Sequence, residues 1–270
     1  MNQEPRRISH SSDDSLQCVT WSPDGLKVVV GGNRGNFYQS DMNGEVLNTW
    51  EGVRVVDLHF MNDGKRILAA DTHHRIRSYH WETLSDRTVV KEDHPIVSFS
   101  VSKDDQYVCV NVQGQGLHVW DVAHCMLLRK YVGVVQSYNH IYSTFGGFHS
   151  QFLASGSEDG KIYLYHFKRD RPISVLSGHS RCVSAVAWNP VYHHILVSVS
   201  DDCTVRVWGP KPPPPPSNAT SEDDASASTS SASTSSASSR RQSLTNGRTY
   251  ETRASAAAAA AAAAGPNGLL

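Results

Sequence analysis

The sequence predicts an all-β chain built from one repeated sheet, and three observations lead there. Short apolar stretches run at period two or fill every position, as in Ile195–Val199 and Val205–Trp208, and no helix-period pattern occurs. Turn residues punctuate these stretches, as Asp201-Asp202-Cys203 does between the last two. The same hairpin then recurs, its second arm closing at Ser40, Tyr79, Trp120, Tyr165 and Trp208, at steps of 39 to 45 residues. A period of about 40–45 residues with about four short strands per unit is the signature of a propeller blade.

Each unit opens with an earlier strand. These are V-T-W-S-P-D-G (Val19–Gly25), L-H-F-M-N-D-G (Leu58–Gly64), S-F-S-V-S-K-D-D (Ser98–Asp105) and V-A-W-N-P (Val186–Pro190). The fourth unit is irregular at this point, around Tyr142–His149, and carries Gly146-Gly147. A lone four-stranded meander cannot bury both its faces, but stacked meanders can. The expected architecture is therefore a β-propeller with five recognisable blades over residues 1–210 and a disordered Pro/Ser/Ala-rich tail over 211–270.

The last blade lacks a fourth strand of its own, because Pro212–Pro216 cannot donate to a β-ladder. Arg6-Arg7-Ile8-Ser9 is the candidate to supply one from the other terminus. In the tail, Pro212–Pro216 reads as a stiff spacer or as a ligand for an SH3-like groove. Ala256–Ala264 is too short for a stable lone helix. Arg240-Arg241-Gln242-Ser243 resembles a basophilic kinase site, which makes Ser243 a candidate phosphosite.

Composition narrows the function. A formal net charge of -1 in 270 residues gives no basic surplus for nucleic acid. No apolar run reaches the roughly 18 residues of a membrane span, and Met1–Ser15 lacks the apolar core of a signal peptide. The expected setting is cytoplasmic or nuclear. Cys18, Cys109, Cys125, Cys182 and Cys203 are scattered, without the spacing of a zinc or redox pair, and read as small buried hydrophobes. The pairs His73-His74 and His193-His194 are adjacent, so on a strand they face opposite ways and cannot chelate one ion. No metal and no cofactor is expected.

The residues Gly178-His179, Ser198, Asp202 and Trp208 resemble the set found in WD-repeat propellers. The resemblance implies a buried hydrogen-bond network: carboxylate to imidazole, imidazole to hydroxyl, hydroxyl to indole. The preceding blade keeps Ser155 and Asp159 but has Tyr165 in place of Trp. In the first three blades Arg34, His73 and Gly114 occupy the turn-Asp position, so those blades are expected to rely on packing alone. A Ser, His and Asp together also suggest a hydrolase. Ser198 sits mid-strand between apolar neighbours, however, and not on an exposed nucleophile turn. The expected chain is not an enzyme.

Further stretches resemble one family more closely. They are Gly35–Gly44, Thr49–Val55, Ala69–Arg77, Glu92–Phe99, Phe145–Lys161, Ala187–Pro190 and Ser200–Pro210. Together they are similar to the WD repeat-containing protein 26 family, the propeller subunits of the CTLH (GID-type) E3 ubiquitin ligase. The resemblance covers about Ser9 to Pro210. It implies a non-catalytic scaffold that recruits substrates or supports assembly in ubiquitin-dependent protein degradation, with ligase subunits and substrates as its protein partners. That family carries LisH and CTLH helical segments and seven blades. This chain shows neither the helices nor more than five repeats, so it resembles the family's C-terminal part. The alternatives are a generic WD-repeat adaptor in signalling, for example G-protein linked, or a partial isoform unable to join the ligase.

Loops of propeller blades carry the binding function. The turn inside each hairpin and the loop entering each blade should share a rim holding Arg34, Arg54, His74, Arg75, Glu158, Arg181 and Asp201. Charged loop residues are ordinarily just solvated. Within this rim, Arg34, Arg54, His74 and Arg181 form a candidate positive sector for an acidic partner segment.

Overall fold

The computed structural model describes residues 14–210, which fold into five antiparallel sheets strung in chain order. Sheet 1 is β1 (Leu16–Trp21), β2 (Lys27–Gly32), β3 (Asn36–Asp41) and β4 (Val46–Glu51). Sheet 2 is β5 (Val55–Phe60), β6 (Arg66–Asp71), β7 (Arg75–His80) and β8 (Ser85–Lys91). Sheet 3 is β9 (Ile96–Val101), β10 (Tyr107–Val112), β11 (Gly116–Asp121) and β12 (Met126–Tyr131). Sheet 4 is β13 (Ser143–Gly146), β14 (Phe152–Gly156), β15 (Lys161–His166) and β16 (Ser174–Ser177). Sheet 5 is β17 (Val183–Trp188), β18 (Leu196–Ser200) and β19 (Val205–Trp208). Each sheet is a simple meander, every strand pairing with its sequence neighbour. The Arg6–Ser9 strand, the Pro212–Pro216 run and Ser243 lie outside the described residues.

Local chemistry sets the tight turns. Between β1 and β2 the Ser22 hydroxyl donates to Asp24 and accepts the Lys27 amide, closing the turn. Between β9 and β10, Ser102, Asp104 and Tyr107 repeat that arrangement. Both are side-chain-to-backbone turns of the kind Ser and Asp favour. The irregular start of the fourth unit is a short β13 followed by a single 3-10 turn at Phe148–Ser150.

Burial follows strand position. The second strands are nearly sealed, as in β2, β6 and β10, while the fourth strands stay largely exposed. The four apolar cores all lie between sheets. Phe37, Leu58, Ile67 and Tyr79 fill the space between sheets 1 and 2, with Trp50 stacked on Phe37 and Trp81 edge-on to both rings. Leu68, Ile76, Ile96, Phe99 and Val110 fill the next, and Leu117, Tyr131, Leu153 and Tyr165 the third. Ile162, Val183, Val186 and Leu196 close the series against Trp188 and Trp208.

Neighbouring sheets meet through their first strands: β1 against β5, β5 against β9, β9 against β13, and β13 against β17. A hydrogen bond marks each junction. The Phe60 amide donates to the Thr20 hydroxyl at 3.3 Å, and the Phe99 amide to the Asp57 carboxylate at 3.2 Å. The Ser98 hydroxyl donates to the Ile141 carbonyl at 2.6 Å, and the Tyr142 amide to the Ser184 carbonyl at 2.9 Å. At the last junction Gly156 is required. A Cβ there would come within 2.1 Å of the Val183 carbonyl oxygen, which is backbone and cannot step aside.

Two predictions come from these junctions. Gly156→Ala should lower stability by about 2–3 kcal/mol, read as a reduced urea midpoint at unchanged slope. The second concerns Asp57, whose carboxyl burial pushes up to about 6 against hydrogen bonds from Phe99 and Leu58. The folded state then holds this proton above the unfolded value, so Asp57 destabilises increasingly as pH rises from about 4 to 6. Burial depresses His59 to about 4, which gives the opposite slope between about 4 and 6.5. The two tend to cancel in the wild type. Asp57→Asn should remove one of them, and its stability should fall relative to the wild type on acidification from pH 7 to 4, by up to about 3 kcal/mol. Parallel curves for the two proteins would contradict this.

Candidate interaction face

Sheet 5 contains the polar set that the sequence brought together. The His179 ring is buried, with Nδ1 at 2.9 Å from the Asp202 carboxylate and Nε2 at 2.8 Å from the Ser198 hydroxyl. The Trp208 indole N–H donates to the same Ser198 oxygen at 2.8 Å. One proton arrangement satisfies every atom: Nδ1–H donates to Asp202, Ser198 O–H donates to Nε2, and Ser198 accepts the indole. Burial draws the Asp202 carboxyl upward. Hydrogen bonds from the Thr204 hydroxyl, the His179 ring and the Ser180 and Thr204 amides outweigh it and hold the group well below the usual carboxylate range. Ser198 is 1% exposed beneath Trp208, so no substrate reaches its hydroxyl.

Sheet 4 does not repeat this network. Ser155 accepts from Ser143 at 2.9 Å and donates to the Gly156 carbonyl. Asp159 takes the Tyr163 hydroxyl at 2.9 Å, and the Tyr165 hydroxyl reaches the Val132 carbonyl instead. Ser155, Asp159 and Tyr165 therefore serve three separate contacts. No imidazole bridges the first two, and a Tyr two residues before Tyr165 reaches the carboxylate first.

Sheet 3 corrects the expectation of packing alone. Glu92 stands where sheet 5 has His179, three residues before the matching carbonyls of Pro95 and Cys182. Its carboxylate receives the Trp120 indole N–H at 2.7 Å and lies 2.9 Å from the His118 ring. Both partners of this pair are nearly sealed, at 1% and 6% side-chain exposure. A carboxylate replaces the imidazole, and it reaches the tryptophan directly without an intervening Ser.

The hairpin turns and blade-entry loops lie side by side, as expected for one face, and are laced by backbone hydrogen bonds. Val53 donates to Gly35, Thr72 to Arg54, Glu92 to His74, Gln113 to Pro95, and Asp201 to Cys182. Along this row Arg34, Gly35, Gly52, Arg54, Thr72 and His73 line one cleft of about 340 Å³. Arg34 and Arg54 are thus brought together. His74, half-buried at a positive φ of 62°, is not among the lining residues, and neither is the exposed Arg181. Thr72 and His73 join the arginines in their place. The adjacent pair His73-His74, read from the sequence as unable to chelate one ion on a strand, lies on a turn, where His73 lines the cleft with Arg34 and Arg54.

The other rim residues have structural employment. Arg75 pairs with the buried Asp71 at 2.8 Å. The Asp201 carboxylate accepts the Ser184 hydroxyl at 3.2 Å. Glu158 accepts the amides of Ser137, Tyr138 and Asn139 at 2.8–2.9 Å, which fixes the loop entering sheet 4. Burial raises its carboxyl, but the three amides outweigh that and lower it.

Ser198→Ala would leave the Trp208 indole and His179 Nε2 without a partner, and should cost about 2–3 kcal/mol in urea unfolding. Ser155→Ala disconnects a single hydroxyl relay and should cost about half as much. Equal losses would mean that the sheet 5 network carries no special weight.

Comparison with known families matches the geometry. The model for "WD domain, G-beta repeat" matches residues 134–166 and 170–209. The chain is 47% identical over 207 residues to a WD repeat-containing protein 26 homolog of Drosophila melanogaster, covering 76% of this chain and 33% of that protein. It is 40% identical over 203 residues to the WD repeat-containing protein WDS homolog of Arabidopsis thaliana, covering 73% and 38%. With GID complex subunit 7 of Schizosaccharomyces pombe the identity is 34% over 206 residues, covering 73% and 40%. The chain spans between 33% and 40% of the length of these relatives.

Proposed function

We infer that the chain belongs to the WD-repeat family, from its similarity to a WD repeat-containing protein 26 homolog and to GID complex subunit 7. On that premise we propose that it is a non-catalytic scaffold of a GID-type E3 ubiquitin ligase, acting in the cytoplasm or nucleus to recruit substrates or support assembly. The observation that supports this most is how the polar side chains are placed. The Ser198–His179–Asp202 and Glu92–His118–Trp120 groups are sealed within their sheets, where they hold strands together and meet no solvent-borne substrate. What faces outward is a row of loops pinned by backbone hydrogen bonds.

A rigid row of loops suits docking, because little ordering entropy is lost when a partner binds. Ubiquitin transfer itself belongs, on this reading, to partner subunits of RING type. The protein contributes position: it holds a bound segment within reach of a transfer centre that another chain provides.

The reading is tested by co-purification. The tagged full chain, expressed in cells, should capture RING-type and CTLH-type subunits of the ligase in amounts above a charge-matched WD-repeat control. Absence of those subunits, with the chain folded and abundant, would overturn it.

A further inference from the structure

Resting on the scaffold reading, we propose that the cleft between the first two sheets binds a phosphorylated side chain, a phosphoserine or phosphothreonine in an extended partner segment. The cleft of about 340 Å³ is lined by two guanidinium-bearing residues, Arg34 and Arg54, together with Thr72, His73 and two glycines. Its walls come from three consecutive backbone segments, and each is tied to the next. The Val53 amide donates to the Gly35 carbonyl at 2.8 Å, and the Thr72 amide to the Arg54 carbonyl at 3.2 Å. The turns themselves are closed by carboxylates. The Arg34 amide donates to Asp14 at 3.0 Å and the His73 amide to Asp71 at 2.8 Å. Residues 34, 54, 72 and 73 are thereby held in fixed relation before any ligand arrives.

Gly35 and Gly52 leave the cleft open. Both have left-handed backbones, at φ of 103° and 81°, and a Cβ at Gly52 would meet nothing within 4 Å. A ligand can therefore approach the peptide planes between the arginines without meeting a side chain.

The donor set selects the anion. A planar carboxylate is satisfied by one bidentate guanidinium. Two arginines, a hydroxyl and an imidazole lining one cleft suit the three oxygens and near-double charge of a phosphate monoester better than a single planar carboxylate. A nucleic-acid backbone is a poorer fit. It requires a run of cations along a surface, whereas this chain has a formal net charge of -1 and the cleft gathers two arginines.

The test uses fluorescence anisotropy on the full chain. The probe is a labelled pentapeptide amide, two glycines either side of phosphoserine, compared with its serine and glutamate versions. The phosphopeptide should bind at least about tenfold more tightly than the serine peptide, with the glutamate peptide weaker than the phosphopeptide. Arg54→Glu and Arg34→Glu should each weaken it by about tenfold or more while the melting temperature stays unchanged. Arg54→Gln supplies the same reading should the glutamate variant melt early. Inorganic phosphate should compete only at concentrations about tenfold or more above the phosphopeptide.

Equal binding of phosphorylated and unphosphorylated probes would overturn the proposal. So would unchanged affinity in folded arginine variants, or inorganic phosphate competing as well as the peptide, which would make the cleft a free-phosphate site. The scaffold reading is judged by ligase-subunit capture with the wild-type chain and the cleft by peptide affinity of the purified chain, so failure of one remains distinguishable from failure of the other.

Discussion

The contact between successive first strands carries the rest of the structure. A meander of four short strands has two apolar faces, and nothing inside the meander can cover either of them. The cores therefore form between sheets, as Leu58 and Phe37 do in one gap and Leu117 and Leu153 do in another. Burying them requires the first strands to approach closely, and close approach removes water from the polar atoms there. Each junction answers with a hydrogen bond, accepted by Thr20 or Asp57 or donated by Ser98 or Tyr142. An unmet buried amide or carbonyl at any of these places would cost on the order of 1–3 kcal/mol. Packing and hydrogen bonding are thus solved at the same points.

The sheets solve a second problem in different ways. The indole or phenol that closes the hairpin in sheets 2 to 5 has a polar atom to satisfy. Sheet 5 uses a hydroxyl between imidazole and indole, and sheet 3 brings a carboxylate straight to the indole. In sheet 4 the Tyr165 phenol is long enough to reach a neighbouring loop carbonyl. Sheet 2 surrounds Tyr79 with the aromatic rings of Phe37 and Trp50 and sets Arg77 at 5.8 Å from its ring centre. One architecture therefore tolerates four chemistries. A repeat can lose its usual residues and remain a blade, and sheet 2 does so on packing, with the buried Tyr79 hydroxyl lacking a hydrogen-bond partner.

Much of this is legible in the sequence. The hairpin ends at Ser40, Tyr79, Trp120, Tyr165 and Trp208 fall on the third strand of sheets 1 to 5, because period and turn chemistry are local properties. The irregular start of the fourth unit was equally visible, as was the lack of a fourth strand after β19 among the described residues. The Glu92–His118–Trp120 group was not, since its members exchange residue types and positions relative to His179, Ser198 and Trp208. Within E-D-H-P the Glu looks like one more solvated loop charge until Trp120 is placed opposite. Glu158 was read as a rim charge for the same reason, although three loop amides enclose it. Asp57 gave no signal at all. Its burial depends on the neighbouring sheet, and no pattern within β5 encodes that.

Sheet 5 shows what an uncovered face looks like. Ala185, Val199 and Val205 stand in one cross-strand row, and Ala187, Val197 and Val207 in the next. Val205 and Val207 are 67% and 71% exposed, and among the described residues no strand pairs with the outer edge of β19. Such a β-branched row on an edge strand is suited to pairing with one further strand, and Arg206 is the charged side chain on β19 that disfavours indiscriminate pairing.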